Sequence, residues 1–215
     1  MSTLKTTSIT HGSNSGTANL ALTSAGNVTV GADLIATKQN GCQRIVLEQF
    51  YTPCDGSVIA LQDGNHTILN VTAKQTGTAS EVLMNGSEIS YTPPTGTTQV
   101  IYEYSFQIGH DGNDPILNYW LYVGTDPVAY SASSTRGHYY HCNRVVFKWA
   151  INIGGSASTN TGRQASWGSA KTLKMMWRSL DASTYRGDIH EAENFGPLSS
   201  ADVFAQPTLG ITAIG

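Results

Sequence analysis

The stretch Val100 to Ile108 alternates strictly: Val100, Tyr102, Tyr104, Phe106 and Ile108 fall on one side of an extended chain, and Glu103, Ser105 and Gln107 on the other. A segment with this period cannot place its apolar residues on one stripe of a helix. It reads as a strand with one face in a core and the other facing water or a partner. The same period recurs at Val145, Phe147, Trp149 and Ile151 against Arg144, Lys148 and Asn152, and at Leu173, Met175 and Trp177 against Lys174 and Arg178. A further alternating run begins with Arg44 to Phe50.

Between these runs stand pairs that favour tight turns: Asp55-Gly56, Asp63-Gly64, Asn85-Gly86, Pro93-Pro94-Thr95-Gly96, Asp111-Gly112, Gly154-Gly155 and Arg186-Gly187. Strands therefore succeed one another at short intervals, roughly eight to ten in all. No long window carries a 3.6-residue period, which excludes parallel βαβ folds and limits any helix to a short turn. The expected fold is all-β, a jelly-roll or β-sandwich head.

Residues 1–40 differ from the remainder of the chain. They contain no Phe, Tyr or Trp, and their apolar residues come in short groups between Gly, Asn and Ser. Leu20, Leu22, Val28, Val30 and Leu34 flank a turn signal at Ser24-Ala25-Gly26-Asn27, giving strands too thin to build a core of their own. The chain divides into residues 1–40, an extended β arm or shaft that orders on identical neighbours or on a larger assembly, and residues 41–215, the head.

Composition narrows the function. Charged residues make up 13% of the chain, against roughly 25% in typical soluble domains. Surface positions held by Thr, Ser and Asn can be buried against a like subunit without desolvating an ion. With a net charge of −3 and Lys and Arg scattered singly, there is no basic stripe for nucleic acid. Met1 to His11 are polar and no segment has the roughly 20 apolar residues of a membrane span, so synthesis in a cytoplasm without membrane insertion is expected. The three cysteines, Cys42, Cys54 and Cys142, are read as reduced, although a Cys42–Cys54 bridge across a hairpin is conceivable.

Residues that could carry chemistry are few. His138, Cys142 and His141 offer zinc-ligand types, but in an extended segment His138, Tyr140 and Cys142 point opposite to Tyr139, His141 and Asn143. Asp111, Asp114 and Asp126 lie in polar loops, where residues 112–115 read better as a turn than as a calcium or glycosidase site. Gly-x-Ser-x-Gly is absent, and His190 to Glu193 does not match His-Glu-x-x-His, reading instead as an exposed loop. The Asn-x-Ser/Thr triplets at Asn27, Asn65, Asn70 and Asn85 matter only in a secretory pathway. No enzyme activity, cofactor or metal is expected. Trp120 and Tyr122 share an outward face if Tyr119, Leu121 and Val123 point inward, so they, with Tyr130 and Tyr139, are candidates for a subunit contact or a sugar-stacking platform.

Several segments taken together carry a resemblance: Met1–Ile9, Ala25–Gly31, Ile89–Tyr104, Arg144–Trp149, Gly162–Trp167, Lys171–Lys174 and Pro207–Gly215. They resemble small virion structural proteins of marine tailed phages, including cyanophages. The resemblance implies a trimeric jelly roll broadly like the tumour-necrosis-factor or complement-head architecture, attached through its N-terminal arm, with no catalytic residues. A homotrimeric fibre, knob or decoration on the virion surface is the function it implies. It would bind other virion proteins through residues 1–40, or act as a fibre tip recognising a host surface glycan.

Overall fold

The computed structural model describes residues 8–9, 20–22, 28–29, 44–110, 114–137, 142–193 and 202–215. The chain separates into two units, Met1–Gln43 and Arg44–Gly215. In the first, β1 (Ser8–Ile9), β2 (Leu20–Leu22) and β3 (Val28–Thr29) form an antiparallel sheet with Ile9 opposite Leu20 and Leu22 opposite Val28. The turn expected at residues 24–27 lies outside the described residues.

The second unit opens with β4 (Val46–Pro53) and a hairpin of β5 (Val58–Leu61) and β6 (Gly64–Thr67). Next come β7 (Gln75–Thr76), β8 (Val82–Leu83), β9 (Ile89–Tyr91), β10 (Gln99–His110), β11 (Ile116–Val123), β12 (Asp126–Pro127), β13 (Ser133–Arg136) and β14 (Asn143–Asn152). The last are β15 (Lys171–Ser179), β16 (Gly187–Ile189), β17 (Glu191–Glu193), β18 (Asp202–Phe204) and β19 (Thr208–Ile214). Among the described residues the helical element is one 3-10 turn, Ala129–Ser131.

Strand pairing identifies the architecture. In the first sheet β4, β19, β10 and β14 lie side by side, with β16 and then β7 extending from the far end of β10. In the second, β8 and β9 both pair with β15, which pairs with β11, which pairs with β13. Taking β8 with β9 as one interrupted strand, the principal strands run 1-8-3-6 in one sheet and 2-7-4-5 in the other by chain order. That is the jelly-roll order, two sheets joined by crossing connections.

Alternation decides which side of each strand enters the core. Tyr102, Tyr104, Phe106 and Ile108 of β10 are buried, as are Leu117, Tyr119, Leu121 and Val123 of β11 and Leu173, Met175 and Trp177 of β15. Rings from the two sheets meet edge to face, Phe106 against Tyr119 at 5.6 Å and Tyr119 against Phe147 at 6.2 Å. Each such side chain contributes about 1.5–3 kcal/mol of apolar burial. The phenol hydroxyls would offset that gain if left dry. They are bonded: Tyr102 donates to the Ser87 carbonyl at 2.6 Å and Tyr104 to that of Asn85.

Both acceptors belong to the turn interrupting β8 and β9. Gly86 there has φ +83°, and a Cβ on it would lie 2.7 Å from Val71 Cγ2. The Asn85-Gly86 signal in the sequence thus marks a buried turn seated against the core. Arg186-Gly187, in contrast, is not a turn, because Gly187 is the buried first residue of β16. There a side chain would collide with Leu117 and Pro115, so glycine serves close packing at that position.

Candidate interaction surfaces

The outer face of the first sheet is built in cross-strand rows. Pro53, Thr208, Ser105 and Val146 form one; Tyr51, Gly210, Glu103 and Lys148 the next; Gln49, Thr212, Ile101 and Ala150 a third. The Tyr51 ring lies over Gly210, where any Cβ would strike it. The polar groups largely bond one another: Gln49 donates to Thr212 Oγ1 at 2.9 Å, Arg144 to Ser105 Oγ at 2.8 Å and Gln99 to Asn152 Oδ1 at 2.8 Å. Glu103 and Lys148 pair at 3.1 Å, and the carboxylate holds the Lys148 ammonium protonated to higher pH than usual. Amid these lie Val146 at 60% and Tyr51 at 49% exposure, with Val46 at 57% on the same strand as Tyr51. Covering this face would strand few unbonded polar atoms.

On the second sheet Tyr119, Leu121 and Val123 are buried, which turns Trp120 and Tyr122 outward. They are half-buried. Trp120 stands opposite Met176, which stands opposite Leu83, and Tyr122 stands opposite Lys174. The Lys174 ammonium sits 5.8 Å from the Tyr122 ring centre, a cation–π arrangement. The Tyr122 hydroxyl donates to Glu81 at 2.8 Å, and burial with that carboxylate raises its pKa. Tyr130, 67% exposed, belongs to the 3-10 turn after β12. Tyr139, like His138 and His141, lies outside the described residues, and so does Cys42.

Other chemistry-bearing positions are held within the head. Asp114 pairs with Arg136 at 3.0 Å, and Asp126 belongs to the two-residue β12. Cys54 is fully buried, donates to the Gly86 carbonyl at 3.3 Å, and burial pushes its thiol up to about 12. His190 and Glu191 correct the expectation of an exposed loop: both are buried, and Glu191 begins β17. Lys74, remote in sequence, neutralises Glu191 at 2.7 Å, which is why a charge there tolerates burial. His190 has φ +64°, donates from Nε2 to the Asn85 carbonyl at 3.1 Å, and is driven by burial to a pKa of about 4.

A groove of about 400 Å³ near Pro93, Pro94, Thr97 and Trp167 carries no ionisable side chain. Among the described residues no three His, Cys, Asp or Glu side chains converge to hold a metal ion, and no helix is long and apolar enough to cross a membrane.

No family model and no curated protein matches the chain. Among solved structures it is similar to the C-terminal domain of EclA, a sugar-binding protein, at 12% identity over 61% of this chain and 84% of that one, with a TM-score of 0.32. It is similar to a chain of infectious bursal disease virus, Gx strain, at 9% identity over 80% of this chain and 40% of that one, with a TM-score of 0.38. The VP2 subviral particle of that virus matches at 9% identity over 87% of this chain and 45% of that one, with a TM-score of 0.31. The chain thus spans less than half of the viral chains it matches. The chain's own strand order carries the fold.

Proposed function

We propose that this protein is a non-enzymatic structural component of a bacteriophage particle, a homotrimeric surface fibre, knob or decoration. Residues 1–40 attach it to other capsid or tail proteins, and the sandwich is displayed. The jelly-roll order serves viral capsid and lectin domains alike. The observation that favours assembly is the outer face of the first sheet, where Val146 and Tyr51 stand exposed among polar side chains that bond one another. In a trimer, copies pack through this face, and apolar burial at roughly 25 cal/mol per Å² over a large obligate interface exceeds the association cost.

Native mass measurement at micromolar concentration is expected to give three copies. Val146→Lys, which places a further cation between Arg144 and Lys148 on the same face, should weaken association at least about 100-fold, since a charge buried among like charges costs several kcal/mol. A wild-type chain that remains a folded monomer overturns the reading. Imaging the particle then distinguishes capsid from tail.

A second reading, a fibre tip that binds host surface glycan, is favoured by the apolar strip of Trp120, Met176 and Leu83 beside Tyr122 and Lys174. Sugars stack on such aromatic faces, and three copies would add avidity. A glycan array probed with wild type and Trp120→Ala tests it. Signals lost in the variant support the tip, and silence with wild type favours a decoration.

A further inference from the structure

The Lys74 ammonium stands between two buried carboxylates. Its Nζ is 2.7 Å from Glu191 Oε1 and 3.4 Å from Asp188 Oδ2, with the Asp188 side chain 1% and the Glu191 side chain 6% exposed. The two Asp188 oxygens differ in kind. Oδ1 accepts from the Gly77 backbone N–H at 3.3 Å and has Arg186 Nε at 3.7 Å, whereas buried Oδ2 has no hydrogen bond and lies 3.4 Å from the amine. The surrounding backbone makes room for the group. A Cβ on Gly109 would lie 2.6 Å from Glu191 Oε2, and one on Gly77 would collide with Ser179 and the Gly187 carbonyl.

From this arrangement we propose that Lys74 and Asp188 form an intramolecular amide. In the reacting state the ammonium passes a proton to Glu191, 2.7 Å away, leaving a neutral amine beside the Asp188 carboxyl group. The Nζ lone pair attacks Asp188 Cγ. Negative charge develops on Oδ1, where Gly77 N–H and Arg186 stabilise it, in the manner of an oxyanion hole. Glu191 returns its proton to Oδ2, the Cγ–Oδ2 bond breaks, and Oδ2 leaves as water with the second proton lost from nitrogen. One C–N bond forms and one C–O bond breaks; nothing is oxidised or reduced. Lys74, a third exposed, leaves the water a route out. The bond would tie the segment leading into β7 to β16, in register where Thr76 pairs with Asp188.

Intact-mass measurement of the folded full-length chain is expected to give a value one water below that of the sequence, with proteolysis releasing a branched peptide joined at Lys74 and Asp188. Lys74→Arg and Glu191→Gln, checked for native circular dichroism, should each keep their full sequence mass. Asp188→Asn preserves shape and should link with loss of ammonia instead, which keeps the test open if other variants fail to fold. A folded wild-type chain at full sequence mass, or a link mapped to other residues, overturns the proposal. A folded Glu191→Gln chain that still loses water overturns the part given to Glu191.

Discussion

Acidification should weaken the fold through His190 in particular. Its ring is wholly buried, edge-on to Tyr104 at 6.4 Å, with Nε2–H committed to the Asn85 carbonyl and Nδ1 enclosed without a partner. Ionisable groups close to it in the chain are Glu191, its neighbour, and Asp188, two residues before it, with Lys74 against both carboxylates. A proton entering the ring must therefore be buried. Burial lowers the folded pKa from 6.5 to about 4, so the unfolded chain binds the proton first as pH falls. The stabilisation is fully present above about pH 6.5 and is lost as pH drops through about 4, in the direction that linkage requires. At about 1.4 kcal/mol per pKa unit the span amounts to about 3 kcal/mol, a large share of a typical domain's stability. Urea unfolding of wild type and His190→Asn between about pH 4 and about pH 7 measures it; Asn tolerates positive φ, so the comparison isolates the ring. The wild-type stability should fall more steeply by about that amount. Parallel curves, or a folded-state imidazole titrating near its ordinary value by NMR, would refute the reasoning.

Gly86→Ala should cost about 1–3 kcal/mol in thermal or urea unfolding, because φ +83° strains any side chain and Val71 stands 2.7 Å from the new Cβ. Cys54 should resist alkylation in the native state, being buried with its thiol pushed up to about 12; labelling that tracks global unfolding is the expected result, and rapid labelling of the folded chain contradicts it.

The strands of the head were legible wherever burial is one-sided. Val100 to Ile108, Val145 to Ile151 and Leu173 to Trp177 each bury the face that their alternation assigns, with Val145 and Trp149 partly covered. Periodicity left open which of the adjacent aromatics Tyr119, Trp120 and Tyr122 faces out, and burial of Tyr119, Leu121 and Val123 places Trp120 and Tyr122 outside. What the pattern could not carry is pairing across long separations. Nothing local in Thr208 to Ile214 says that it joins β4, roughly the whole head away in sequence, to β10. The same blindness hid the polar group around Asp188. His190 to Glu193 reads as surface on composition, and Lys74, 117 residues from Glu191, helps make its burial tolerable. Arg186-Gly187 misled for a related reason: a glycine selected by a crowded neighbour looks, in sequence, like one selected by a turn.

The position of β19 has a consequence for how the protein is made. This strand comes after every other described strand in the sequence, yet it lies inside the first sheet with partners on both edges. During synthesis β4 and β10 emerge long before the segment that must join them, and neither can close the sheet alone. Residues up to Ile214 must leave the ribosome before the head can close, so the first sheet stays open while every earlier strand is being made. A frameshift or early stop that spares every earlier strand would still leave two bare edges where the centre of a sheet should be.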